Sequence, residues 1–148
     1  MDQEADQASS QAYIAPLIVG CALFMEMLDG TVIATALPVM AHSLHRDPIR
    51  LNLAITSYML SLAVFVPISG WMADRYGART VFRSAIVIFT LGSILCGVSQ
   101  SLGEIIAARI FQGFGGAMMT PVGRLIVLRT VRKSDLVTAM SYLTVPAV

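Results

Sequence analysis

This sequence has little charge. Only 13% of its 148 residues are charged, against about 25% in an ordinary soluble domain. Apolar residues make up 56% of the chain, and the mean hydropathy is +0.74. Two stretches, Leu51 to Met72 and Ser84 to Gly103, contain no charged residue at all. Such a chain does not fold as a water-soluble domain of this size. The net charge of +1, with no clustered basic face, excludes a nucleic-acid partner, because phosphate neutralisation needs one. Cysteine is nearly absent as well. Cys21 and Cys96 lie inside apolar runs without CxxC or histidine spacing, so they read as small buried hydrophobes and not as a disulfide or metal framework. G-x-S-x-G, H-E-x-x-H and any nucleophile with a neighbouring base are missing, which argues against an enzyme, and nothing calls for a cofactor. Residues 1–12 hold three acids and no base, so they lack the positive region of a cleavable signal and read as a short cytoplasmic tail.

What the chain does have is long apolar runs: Tyr13 to Ala41, Leu51 to Met72, Val81 to Val98 and Glu104 to Leu128. About 20 helical residues cross roughly 30 Å of hydrocarbon, so these runs predict four transmembrane helices in an all-α membrane protein. A fifth run, residues 136–148, reaches only about 20 Å as a helix. It predicts a truncated fifth span, and the chain therefore reads as an inactive N-terminal fragment of a larger bundle. Orientation follows from Lys and Arg. The loops after the second and fourth spans carry Arg75, Arg79, Arg83, Arg129, Arg132 and Lys133, while the loop after the first has only Arg46 and Arg50. The positive-inside rule then puts the heavier loops and the N terminus in the cytoplasm of a multi-pass cell-membrane protein. His42 and His45, three apart in the outer loop, read as solvated histidines before they read as a pH sensor or metal site.

Ionisable residues inside the spans are costly, about 2.5 to 3.5 kcal/mol each near a helix centre, and so point to function. Glu26 and Asp29 sit near the middle of the first span, and their i, i+3 spacing places them on one helix face. Two close desolvated carboxylates do not both ionise cheaply, which suits a proton carrier; the plainer reading is a neutral structural pair. In the fourth span Arg109 lies in ARIFQGFGGAMMTP. Gln112, Gly113, Gly116 and Thr120 continue its face. The small residues here predict close helix approach, and Pro121 predicts a kink. Judged by depth, Arg109 reaches Asp29 if the two helices are neighbours.

Taken together these stretches resemble the major facilitator superfamily. Gly70, Asp74, Arg75, Gly77 and Arg79 in GWMADRYGART match that family's loop between spans two and three, with Ala78 where Arg or Lys is usual. Arg109, Gln112, Gly113 and Gly115 match its R-x-x-Q-G-x-G pattern in span four. Leu28, Asp29, Thr31, Ala36, Leu37 and Pro38 match the L-D-x-T-x-x-x-x-A-L-P pattern in span one of the fourteen-span drug:proton antiporters of the EmrB/QacA type, with Ala34 replacing a common Asn and Glu26 an addition. The resemblance implies a bundle of three-helix repeats that moves a small molecule by alternating access, exchanged for protons, with the remaining half of the transporter lying outside this chain. It further implies that Asp29 and Arg109 line the cavity and couple protons, and that Asp74, Arg75 and Arg79 brace the cytoplasmic gate.

Two other readings remain. A small four-span multidrug exporter that works as a dimer fits the chain length, though it needs neither the loop signature nor an arginine in span four. A non-transporting membrane subunit is the other.

Overall fold

The computed structural model describes the backbone of residues 2–43 and 48–131, and side chains within 14–33, 35 and 52–131. The fifth apolar run, His45, Arg46, Arg132 and Lys133, together with the side chains of His42 and Arg50, lie outside those residues. Four helices follow one another: α1 (Asp2–Ser43), α2 (Pro48–Tyr76), α3 (Ala78–Val98) and α4 (Leu102–Thr130). Among the described residues there is no strand. That fits a chain in lipid, where the backbone of a lone span is satisfied only by its own helical hydrogen bonds.

The helix ends follow from local chemistry. Proline opens α2 at Pro48, where its missing N–H would have no helical partner anyway. Gly77 alone separates α2 from α3. Its φ of 85° is a left-handed backbone that costs an L-residue about 1 to 2 kcal/mol. The chain thus reverses on one glycine, and α3 starts three residues earlier than the apolar run suggested. At the other end, Ser101 accepts a hydrogen bond from the Glu104 amide at 3.3 Å while the Glu104 carboxylate accepts one from the Gln100 amide at 2.8 Å. This reciprocal cap starts α4.

The spans expected from the sequence are largely present, with two differences. Segment 2–12, read as a tail, continues the backbone of α1; 42 residues make about 63 Å of helix, twice the hydrocarbon thickness. Segments Ile14–Ile33, Asn52–Tyr76 and Ala78–Val98 are long and apolar enough to cross a membrane. The 29-residue α4 is long enough too, but it carries Glu104, Arg109, Arg124 and Arg129. Glu104, Arg124 and Arg129 are exposed, and Arg109 is buried because α1, α2 and α3 all pack against α4. Its glycines permit the approach. A Cβ on Gly115 would lie 2.7 Å from the Phe89 nitrogen and 2.8 Å from the Ala85 oxygen of α3. Below it, Val19 and Ala22 of α1, Phe82, Ala85 and Phe89 of α3, and Met118, Met119, Val122 and Val127 of α4 form the apolar core. The outward faces, with Leu17, Leu60, Val87 and Val98 exposed, are apolar in the way lipid requires.

Candidate functional site

The chemistry gathers where α1, α2 and α3 meet the N-terminal two thirds of α4. Arg109 is the largest fully buried side chain, 2% exposed, and Gln112, one turn on, is fully buried. Both sit on the buried face of α4, which turns them toward Asp29 of α1. Arg109 Nη1 donates to Asp29 Oδ2 at 2.5 Å and to Gln112 Oε1 at 2.8 Å. Gln112 Nε2 closes the triangle by donating to Asp29 Oδ1 at 2.8 Å. Ser93 of α3 adds a long contact to the same oxygen, 3.5 Å. The Asp29 side chain keeps 12% exposure, so the ion pair is sealed on the arginine side and open at the carboxylate.

Glu26, one turn away on α1, takes a separate set of partners. Thr120 of α4 donates to its Oε2 at 3.1 Å and Tyr58 of α2 to its Oε1 at 3.4 Å. The two carboxylates share a helix face, yet only Asp29 is paired with a cation. The Tyr58 ring also lies under the guanidinium of Arg109, with Cζ 5.3 Å from the ring centroid. Gly113 and Gly116 make this crossing possible. A Cβ on Gly113 would stand 2.6 Å from Ser61 Cβ, and one on Gly116 2.8 Å from the Tyr58 hydroxyl.

The remaining residues singled out in the sequence lie elsewhere. Pro121 sits inside an α4 that runs unbroken from Leu102 to Thr130. Gly30 has no atom within 4 Å of a Cβ position, and neither does Gly70. At the junction of α2 and α3, where a loop was expected, Asp74 and Arg75 lie in the last turn of α2 and Arg79 in the first turn of α3; Asp74 pairs with Arg129 of α4 at 3.3 Å, both well exposed. Arg75 stacks on Trp71 and Tyr76, at 5.8 and 6.0 Å. Arg79 is exposed and, with Arg83, edges a groove of about 200 Å³ between α1 and α3. The junction is thus a charged surface element apart from the buried cluster.

Sequence reasoning passed over Tyr58, Ser93 and the exposed Arg124 of α4, and it read both cysteines as buried hydrophobes, whereas Cys21 is exposed and the half-buried Cys96 has its thiol 3.8 Å from Gln112 Oε1. The signal for Tyr58 was available: it is the one tyrosine in a charge-free span, and a buried phenol needs a polar partner.

Comparison with known proteins places this arrangement. The model of the Major Facilitator Superfamily matches residues 19–147. The chain belongs to the major facilitator superfamily. Within it, the chain is 54% identical to the protein of Serratia proteamaculans named MdtD, for multidrug resistance, over 87% of this chain and 27% of that one. It is 51% identical to the protein of the same name from Cronobacter sakazakii, over 87% of this chain and 27% of the relative, and 50% identical to that of Yersinia enterocolitica, over 87% and 28%. The chain thus spans about a quarter of the length of these curated relatives. Major facilitator proteins are multi-pass membrane transporters, and the three apolar helices fit that setting.

Proposed function

We propose that this chain supplies the proton-responsive part of a drug:proton antiporter in the cell membrane, exporting small molecules by alternating access, with its N terminus in the cytoplasm. The observation that carries the reading is the buried Arg109–Asp29 pair with Gln112 across it. With Asp29 ionised, the pair is neutral overall and α1 is tied to α4. A proton on Asp29 removes the attraction and leaves Arg109, 2% exposed, as a buried cation held by Gln112 and the Tyr58 ring alone. An unpaired buried charge costs several kcal/mol. The helices therefore gain by rearranging whenever Asp29 is protonated, and a change in protonation becomes a change in packing. Glu26, held by neutral donors, tunes this site or meets the substrate. The α2–α3 junction with Gly70, Asp74, Arg75, Gly77 and Arg79 braces the cytoplasmic end. The MdtD relatives support a small-molecule substrate, and we read the activity as transport and not catalysis.

A full-length transporter in which residues 19–147 replace the matching segment of the Serratia proteamaculans relative provides the test. Reconstituted in vesicles, it should move ethidium in response to an imposed pH gradient, and Asp29→Asn should abolish that response while ethidium still binds. Gradient-driven movement that survives Asp29→Asn would refute the reading.

A further inference from the structure

Arg109 is held in an uneven way. Its recorded hydrogen bonds, to Asp29 and to Gln112, both leave from Nη1. Among the described residues its Nε is buried with no hydrogen-bond partner. A guanidinium fixed through one nitrogen can swing about that nitrogen, and hydrogen bonds alone do not explain why this one stays in place. What restrains it is the Tyr58 ring, 5.3 Å from Cζ, which offers a negative π-face to a desolvated cation. Tyr58 is itself tightly seated. Its hydroxyl donates to Glu26 Oε1 at 3.4 Å. The space for that hydroxyl exists because Gly116 has no side chain, and the Tyr58 carbonyl oxygen would lie 3.0 Å from a Cβ on Gly113. α4 is therefore notched where Tyr58 crosses it.

We infer that Tyr58 is a positioning residue joining the two carboxylate sites: its ring seats Arg109 for Asp29, and its hydroxyl holds Glu26. The inference rests on the reading of Asp29 and Arg109 as the proton-responsive pair. One side chain on α2 then touches both, so a movement of α2 relative to α4 loosens the Asp29 ion pair and the Glu26 hydrogen bond together. The groups facing this junction are Glu26 and Asp29 from α1, Arg109 from α4 and Cys96 from α3. No acid or base of α2 itself is among them.

The two roles separate by substitution. Tyr58→Phe keeps the ring and removes the donor, while Tyr58→Met keeps an apolar side chain and removes both the ring and the donor. Dicyclohexylcarbodiimide adds to protonated carboxyl groups in apolar surroundings, a form favoured when a carboxylate loses its donors or its cation, and mass spectrometry reads each site. In the purified full-length chimera at one fixed pH, Tyr58→Phe should raise modification of Glu26 several-fold and leave Asp29 unchanged. Tyr58→Met should raise modification of both, with Asp29 up about tenfold. Arg109→Gln sets the upper limit for Asp29. If Tyr58→Phe leaves Glu26 unchanged, or Tyr58→Met leaves Asp29 protected, the inference is overturned. A rise shared with the surface residues Asp74 and Glu104 would assign Tyr58 to packing alone and overturn it too. Because this labelling needs no transport, a failure here is separate from failure of the proton-coupling reading, which Asp29→Asn tests in vesicles.

Discussion

Replacing Arg109 by Gln removes the cation but keeps a polar side chain of similar reach. Asp29 then retains only Gln112 at 2.8 Å and Ser93 at 3.5 Å as donors, in a site 12% exposed. Breaking a buried pair from one side costs about 3 to 5 kcal/mol, because the surviving charge is stranded. The opening at Asp29 admits some water, so the lower end, about 3 kcal/mol, is the expected loss. Adding Asp29→Asn removes the stranded charge and leaves two amides able to bond one another and Gln112. The double variant should therefore be more stable than Arg109→Gln alone by about 1 to 2 kcal/mol. Asp29→Asn by itself strands Arg109, the more deeply buried partner, and should be at least as harmful as Arg109→Gln. Unfolding of the full-length chimera in mixed detergent micelles, followed by helical circular dichroism, gives the four free energies of the cycle. Losses that simply add, with no coupling between the two positions, would refute the view that the pair is what ties α1 to α4.

Other outcomes follow from the same geometry. Gly115→Ala brings a methyl within 3 Å of α3 backbone atoms, and a strained close-packed contact of this kind should cost about 1 to 3 kcal/mol in the same unfolding assay. Gly77→Ala forces an L-residue into φ 85° and should cost about 1 to 2 kcal/mol, with no clash to relieve because the space around it is open. Asp74→Asn breaks an exposed pair with Arg129 and should change stability by less than about 1 kcal/mol; any larger effect on transport would then report gating. The orientation proposed from the Lys and Arg count requires a cysteine at Ser43 to react with an impermeant thiol reagent in intact cells and one at Tyr76 to stay unreactive, and the reverse pattern would invert the topology.

Much of this was readable from residues because lipid makes polarity informative. Charge-free runs located α2 and α3, and the ionisable residues left within runs marked the parts that pack inward. Glu26 and Asp29 at i, i+3, set against Arg109 and Gln112 on one face, pointed to a junction of α1 with α4, and the Arg109–Asp29 bond is that junction. The assignment of carboxylates to partners was hidden. It depends on how α2 and α4 each pack against α1, which brings Tyr58 and Thr120 to Glu26; uncharged polar residues are common in spans and their spacing in the chain says nothing about that packing. The run of glycines was read as one packing surface, yet at 100° per residue Gly115 faces α3 while Gly113 and Gly116 face α2. The length of α1 was hidden too, since Asp2, Glu4 and Asp6 look solvated and a helix can continue into water without any apolar signal.

In the proposed mechanism Asp29, and not Glu26, carries the exchanged proton. The most direct measurement is proton release from the purified full-length chimera in weakly buffered detergent solution when ethidium is added, read with a pH-indicator dye. The unsubstituted protein should release protons, Glu26→Gln should still release them, and Asp29→Asn should bind ethidium without release. Release that persists in Asp29→Asn and disappears in Glu26→Gln would contradict the account and transfer the role to Glu26.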